Sequence, residues 1–205
     1  AAQIDAGFES ASAFRAAFAR LVGIAPGAFR KDALLLADWI DTPLGAMIAI
    51  SCAHQLHLLE FADRKALPRE VAKLQKAQPG GLGFGRPAPT EQIAGELRGY
   101  FAGAGADFRT PLALHGTAFE REVWRCLLAI PAGETRSYSQ IARELGRPSA
   151  ARAVARANGT NQLALVVPCH RVLSADGALT GYGGGLWRKQ RLIEIETGYR
   201  QRISA

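Results

Sequence analysis

Apolar residues change their spacing along this chain, and the changes divide it into stretches. Phe14, Phe18 and Leu21 recur at helical intervals behind Ser10 and Ser12, either of which can cap a helix that Gly23 ends. Pro26 then opens a short further turn, so residues 3 to 31 are predicted as two helices around a turn. Between residues 38 and 62 the pattern becomes strand-like. Trp39 to Thr42, Ala46 to Ile50 and Leu56 to Phe61 are apolar runs parted by turn residues such as Pro43-Leu44-Gly45, which predicts a small antiparallel meander. Residues 68 to 77 return to a helical pattern, and the glycine- and proline-rich stretch 79 to 89 reads as a loop. Thr90 is predicted to cap a helix running from Glu91 to Phe101, and a Gly/Ala linker leads to residue 110.

Beyond Thr117 the pattern is helical again. Phe119, Val123, Trp124 and Leu127 share one face of a helix that must stop at Pro131. Ser137 caps a helix from Tyr138 to Leu145, Gly146-Arg147-Pro148 turns the chain, and Ser149 caps a second helix from Ala150 to Asn158. Two short helices around a tight turn is the helix-turn-helix plan. The second carries five alanines interleaved with Arg152 and Arg156, which lets a backbone approach a duplex closely while charge meets phosphate. The same alanines also suit packing against the helix's own domain, and the spacing alone leaves both readings open.

One apolar run ends differently. Leu163 to Val167 stops at Pro168, which cannot donate to a strand ladder, and Cys169 and His170 follow at once. A cysteine so placed is either a small core residue or a nucleophile presented at a strand or loop end. The adjacent imidazole and Arg171 favour the nucleophile, because a nearby base or cation raises the thiolate fraction. The other two cysteines, Cys52 and Cys126, are expected to be packing residues, and three cysteines without zinc-type spacing suit a reduced, cytoplasmic protein with no metal. His54 and His57 are likewise read as structural.

Composition narrows the classes. The chain has 205 residues, 48% of them hydrophobic, a mean hydropathy near zero and no apolar run long enough to span a membrane. It opens Ala1-Ala2-Gln3 with no signal-peptide pattern, as an excised fragment does. The net charge is +7, and its excess sits late: 13 Lys and Arg face 7 Asp and Glu from residue 110 onward, against 12 and 11 before it. A basic second half points to a polyanion, most simply nucleic acid. The glycines of 80–85 do not form a phosphate loop, because no Gly-Lys-Ser/Thr ending follows.

Taken together, Ile130-Pro131-Ala132-Gly133-Glu134-Thr135-Arg136-Ser137-Tyr138, Arg152-Ala153-Val154, Asn161, Pro168-Cys169-His170-Arg171-Val172 and Gly181-Tyr182-Gly183-Gly184-Gly185 resemble the O6-alkylguanine-DNA alkyltransferases. The close match spans residues 117 to 196, and 38 to 110 fits that family's N-terminal domain. Gly7-Phe8, Ser10, Ser12, Phe14, Phe18, Gly23, Pro26 and Phe29-Arg30 resemble the end of an AraC-type regulator's second helix-turn-helix, so the whole is similar to the Ada-type fusions of regulator and methyltransferase. The resemblance implies three parts: an AraC-like remnant over 1–33, an α/β domain with a small antiparallel sheet over 34–110, and a mainly α catalytic domain over 111–205. A helical extension that simply packs on its neighbour is the other reading of the first part.

The resemblance also implies a chemistry. Cys169 accepts the alkyl group of O6-methylguanine, and of O4-methylthymine, irreversibly and once per molecule. His170 deprotonates the thiol through a water, Glu196 orients His170 with Glu194 as a rival for that role, and Asn161 braces the active-site loop. The target base is flipped out of the stack. Arg152 then fills the gap, Tyr138 crowds the flanking phosphate, and Tyr182 and the backbone from Gly183 line the pocket, with Ala153 and Lys189 among the DNA and substrate contacts. No cofactor is implied, and the partner is double-stranded DNA bound by a monomer. Two departures stand out: Gln162 follows Asn161 where the family often has proline, and Gly183 replaces a serine found in some members. The cysteine cluster of full Ada-type fusions is missing, and with it the expectation of phosphotriester sensing. The other classes are a non-catalytic lesion binder or regulator fragment, which an intact Cys169 opposes, and a Cys-His hydrolase, which leaves the Arg152 helix unexplained.

Overall fold

Long apolar runs with β-branched and leucine residues form the centre of the first half. In a computed structural model, which describes residues 10–203, these are β1 (Leu35–Ile40), β2 (Met47–Ser51) and β3 (Leu56–Phe61). They pair as an antiparallel meander with Trp39 opposite Ile48 and Ala49 opposite Leu59, and the register slips once at Ile50/Ser51. Every residue of β2 and β3 is buried, so these strands are covered on both faces.

The sheet departs from the predicted meander at its edge. Leu82–Phe84, inside the stretch read as a loop, is a fourth strand, β4, parallel to β1 with Phe84 opposite Ala37. The order is β3-β2-β1-β4, a mixed sheet rather than an antiparallel one. Glycines disguised this strand. A Cβ on Gly83 would run into the Arg30 carbonyl, and one on Gly81 would meet Arg30 Cδ at 2.9 Å, so their absence is what lets residues 30–33 lie against β4. β1 also begins earlier than the pattern indicated, at Leu35 rather than Trp39.

Helices flank the sheet: α1 (Ala11–Val22), α2 (Leu67–Ala77) and α3 (Ala88–Phe101). In α1 the Ser10 hydroxyl accepts from the Ala13 amide, and Gly23 ends the helix at φ +68°. Phe14 and Phe18 enter one core with Leu35, Ile48, Ile50, Leu58, Val71 and Leu74, while Leu21 stays exposed. The stretch read as two helices around a turn holds one α-helix followed by a 3-10 turn at Pro26–Ala28; residues 3–9 lie outside the described residues. Thr90 is not the cap of α3. It lies inside the first turn, and its hydroxyl donates to Ser51 Oγ at 2.8 Å, tying the helix to β2.

Residues up to Arg98 with Phe108–His115 form one compact unit, and Gly99–Asp107 with Gly116 onward form another. The first unit buries two polar clusters. Arg64 donates to Glu60 at 2.8 Å and to Glu70 at 2.7 Å, with Glu60 pushed up to about 8 by burial against the pull of Arg64. His57 Nδ1 lies 2.8 Å from His115 Nε2, a pairing of residues 58 apart that the sequence reading did not foresee. Burial, then the neighbouring imidazole, holds His57 down at about 4; burial, then Lys73, lowers His115.

The sign of that shift makes a prediction. An unfolded chain takes up a proton on His57 near the ordinary value of about 6.5, whereas the folded chain does so only near 4. Stability from this residue is therefore complete above about 6.5 and falls as pH drops toward 4. Glu60, with its folded value raised, works in the opposite sense between about 4.5 and 8, so the test is a difference. The gap in unfolding free energy between the parent and His57→Leu, read by denaturant titration, should shift by about 1 kcal/mol between pH 7.5 and pH 5 in the direction that penalises the parent, after allowing for solvent screening. A gap independent of pH would contradict it.

Among the described residues no helix is long and apolar enough to cross a membrane.

Candidate active site

Local capping fixes the helices that carry the site. α4 (Ala118–Leu128) starts with a reciprocal box, the Thr117 hydroxyl accepting from the Glu120 amide and the Glu120 carboxylate from Thr117 N–H. α5 (Tyr138–Glu144) repeats the device with Ser137 and Gln140. Gly146, at φ +67°, turns the chain into a 3-10 segment at Pro148–Ala150, and α6 (Ala151–Gly159) follows. Ser149 lies within that segment and caps nothing; Ala150 precedes α6 with no side-chain cap. Trp124 of α4 donates its indole N–H to the Ala157 carbonyl at 2.8 Å, locking α6 in place.

α6 divides its small residues between two faces. Val154, Ala157 and Asn158 are buried, while Arg152, Ala153 and Arg156 are exposed beside Phe119, Ser149 and Ala150 along a groove of about 570 Å³. The buried face therefore packs at home and the opposite face presents two cations. Tyr138, at the start of α5, is half-buried, and its hydroxyl stands 3.9 Å from where a Cβ on Gly181 would sit. Burial, above all, raises the Tyr138 phenol, opposed by its hydrogen bond to Thr180.

The apolar run before Cys169 is not a strand. Residues 163–167 form buried turns, and Leu165, at φ +67°, is the one non-glycine residue in the left-handed region among those described. A branched residue there stores about 1–3 kcal/mol, which surrounding contacts must hold. Asn161 supplies them. Its amide donates to the Val167 carbonyl at 2.8 Å and to Cys169 Sγ at 3.2 Å, and its oxygen accepts from the Leu163 amide at 3.0 Å. Gln162, where the family often has proline, is buried beside that brace. Asn158 adds a bond to the Cys169 carbonyl at 3.3 Å. Cys169–Arg171 then makes a 3-10 turn that leads into β6 (Val172–Leu173), parallel to β5 (Arg136–Ser137).

Behind the thiol lies a buried ionic network on α7 (Leu186–Ile203). His170 Nε2 is 2.9 Å from Glu196 Oε1, both groups being essentially inaccessible to solvent. Arg171 grips the same carboxylate with two nitrogens, at 2.7 and 2.8 Å, and Tyr100 donates to it at 3.1 Å. Glu194 is exposed and pairs with Arg191 instead, so of the two candidate glutamates Glu196 is the one brought to His170. Burial pushes the Glu196 carboxyl up, but the hydrogen bonds and charges of His170 and Arg171 outweigh it and hold the group down at about 2. Burial also lowers His170, only partly offset by Glu196. A neutral imidazole beside a carboxylate must keep its proton on Nε2. That leaves Nδ1, buried and with no protein hydrogen-bond partner among the described residues, as a basic lone pair.

The remaining residues singled out from sequence are distributed around this centre. The Tyr182 ring meets the His170 ring edge-on at 6.5 Å between centroids. Gly183 is exposed on the turn that the Gly185 amide closes onto the Tyr182 carbonyl. Lys189 is fully buried, its ammonium donating to the Val172 and Thr180 carbonyls at 2.5 and 2.6 Å. Burial lowers it to about 8, and the nearby Cys169 opposes that shift, so this cation stands close to the thiol. Tyr100 and Arg171 are site residues that the sequence reading did not assign: Tyr100 lies in an ordinary helical pattern, and Arg171 was weighed only as a cation near the thiol.

Comparison with known proteins identifies relatives over most of the chain. Residues 118–198 match the family model "6-O-methylguanine DNA methyltransferase, DNA binding domain". A methylated-DNA–protein-cysteine methyltransferase of Mycolicibacterium paratuberculosis is 58% identical over 157 residues, covering 77% of this chain and 89% of the relative. The match to the Mycobacterium bovis protein of the same name, 56% identical, is confined to 101 residues and spans 61% of that protein's length. Among solved structures, the O6-methylguanine methyltransferase of Mycobacterium tuberculosis superimposes with a TM-score of 0.70 at 39% identity, covering 80% of this chain and 94% of that one. The same organism's OGT in complex with DNA gives 0.68 at 40% identity, with 78% and 92% covered. Likeness on this scale, over most of both chains, means that this chain belongs to the O6-methylguanine-DNA methyltransferase family.

Proposed function

We propose that this protein repairs O6-methylguanine in DNA directly, by moving the methyl group to Cys169 once and irreversibly, and that it acts on O4-methylthymine in the same way. The carrying observation is the joined constellation: a thiol held by Asn161, and a neutral His170 whose Nε2 is engaged by Glu196 and whose Nδ1 is left basic. In the reaction the Cys169 proton passes through a water to His170 Nδ1. The thiolate attacks the methyl carbon, a C–S bond forms as the methyl C–O6 bond breaks, and the guanine base departs with that electron pair and takes up the proton that Cys169 had given to His170. The Lys189 ammonium near the sulfur favours the thiolate. Glu196 stabilises the imidazolium that forms, and Arg171 and Tyr100 keep that carboxylate in place.

The substrate is a base in a duplex, which has to leave the stack. α5, the turn after it and α6 act as a helix-turn-helix on the DNA. Arg152 enters the gap, Ala153 lets the backbone approach, Tyr138 presses on the adjacent phosphate, and Tyr182 with Gly183 forms the wall of the base pocket. Residues 34–110 serve as the N-terminal α/β domain and 111–205 as the catalytic domain, in a monomer acting in the cytoplasm. Residues 1–33 are read as what remains of an AraC-like regulator in an Ada-type fusion. That reading rests on the sequence motif; the burial of Phe14 and Phe18 in the sheet's core is what a helical extension packed on its neighbour also gives.

Intact-protein mass after mixing with a duplex carrying one O6-methylguanine is the decisive measurement. One added methyl per molecule is expected; binding without mass gain would leave a lesion-recognition protein. Arg152→Ala separates flipping from chemistry. It is expected to slow transfer from the duplex by about 10²-fold, in line with loss of a group that offsets a few kcal/mol of unstacking, while transfer from free O6-benzylguanine changes less than threefold, a window of about 0.6 kcal/mol. Equal slowing of both substrates would remove Arg152 from the flipping step.

A further inference from the structure

α1 turns its aromatic face into the sheet, and its other face borders a groove that the repair chemistry does not use. This cavity, of about 510 Å³, is lined by Ser12, Arg15, Ala16, Phe29, Arg30, Lys31 and Phe84. Three of the lining residues are cations and none is a carboxylate; Arg30 is paired with Asp32, at 2.6 Å, just outside it. Its floor is aromatic. The Phe29 and Phe84 rings lie 4.3 Å apart between centroids, and the Arg15 guanidinium stands over Phe84 at 5.6 Å.

The groove is built rather than incidental. Phe84 is braced from below by Phe14 at 5.8 Å and Phe18 at 6.0 Å, both fully buried. The wall made by residues 29–31 is pinned to β4 by the Arg30 amide, which donates to the Leu82 carbonyl at 3.0 Å, and by the close approach that Gly83 permits. Exposed cations around an aromatic floor match a ligand that alternates negative charge with flat apolar faces. An acidic peptide supplies the charge without the faces, and paired bases in a duplex keep their faces stacked on one another. Unpaired nucleotides offer both.

We propose that this groove on the first unit binds single-stranded nucleic acid, with phosphates on Arg15 and Lys31 and a base against the Phe29–Phe84 pair. The site is separate from Cys169 and does not depend on the repair reading.

The test is fluorescence anisotropy with a labelled oligothymidine at low salt, in full-length protein carrying Arg152→Ala and Arg156→Ala to silence α6. Adding Arg15→Glu and Lys31→Glu is expected to weaken binding at least tenfold, because two phosphate contacts are reversed. Phe29→Leu, which keeps apolar volume, is expected to weaken oligothymidine about fivefold or more and an abasic strand of equal length hardly at all. Photocrosslinking to a bromodeoxyuridine strand should label the peptide containing Phe29 or Phe84, a readout that holds even where a variant folds poorly. Unchanged affinity in the charge-reversal variant overturns the site. Equal binding of the abasic strand, or tighter binding of unmodified duplex or of polyglutamate, overturns the assignment to unpaired nucleotides. With Arg152 and Arg156 intact, the Arg15→Glu, Lys31→Glu protein should still gain one methyl on Cys169, so failure here and failure of the repair reading are told apart.

Discussion

Cys169→Ala protein mixed with a duplex containing one O6-methylguanine is expected to gain no mass, while the parent gains one methyl per molecule and then stops. The argument rests on the three thiols of the chain. Cys126 is half-buried in α4, and burial, followed by Glu144 and Glu122, raises its thiol and keeps it protonated. Cys52 follows β2, where its sulfur accepts from the His54 amide. Cys169 alone has a side-chain amide on its sulfur, a buried ammonium nearby and a basic imidazole nitrogen next in sequence. Cys52→Ser and Cys126→Ser should therefore each keep the full methyl gain. Cys169→Ala should still fold, since it removes one small buried atom and costs about 1 kcal/mol. It should also still bind the lesion duplex. A methyl found on Cys52 or Cys126 in the parent would overturn the assignment.

Glu196→Gln is expected to do damage on two levels. Its carboxylate is the acceptor for His170, for both nitrogens of Arg171 and for the Tyr100 hydroxyl, all buried. A neutral amide cannot satisfy those donors, and it leaves the Arg171 guanidinium without its counter-charge. Removing one member of a buried pair costs about 3–5 kcal/mol, a large part of the stability of a domain this size. The second level is kinetic: an amide that donates to Nε2 forces the imidazole proton onto Nδ1, the atom needed as base. Transfer to Cys169 should fall by about 10²–10⁴-fold, the range of general-base contributions. Single-turnover transfer rates and a denaturant titration on the same protein separate the two effects. Tyr100→Phe is the milder counterpart, because it removes one donor and keeps the charge. With that donor gone, His170 should become more basic and the rising limb of the pH–rate profile should move to higher pH. A Glu196→Gln protein with parental transfer rate would dismiss the His170–Glu196 pair as the base.

Acid should reveal the same network. Glu196 is held at about 2 when folded, below the ordinary carboxyl value, so its contribution to stability is complete above about 4.5 and is lost as pH falls toward 2.

How much of this was visible in the chain differs from element to element, for physical reasons. Signals that act within a few residues were legible. Ser10 and Ser137 cap their helices, Gly23 ends α1, the β1–β3 runs form a meander, and the order of motifs around Cys169 points to one chemistry. Each depends on local hydrogen bonding or on periodicity, which sequence carries directly.

What tertiary structure decided involves partners far apart in the chain. β4 exists because β1 offers a free edge and Gly81 and Gly83 allow residues 30–33 to crowd it; read alone, the same glycines look like a loop. Leu163 to Val167 is apolar throughout, as a buried strand would be, yet Asn161 winds it into turns that lead to Cys169. The choice of Glu196 over Glu194 is a matter of two residues on one helix: only one of them faces inward toward His170, and helix phase relative to a packed partner is not written in either residue. The sequence by itself singled out Cys169, His170 and the arginine-bearing helix as the candidates, because their residue types are the chemistry. The folded chain decided which buried donors converge on one carboxylate, because that convergence joins Gly133, Tyr100 and the His170-Arg171 pair from three separate segments.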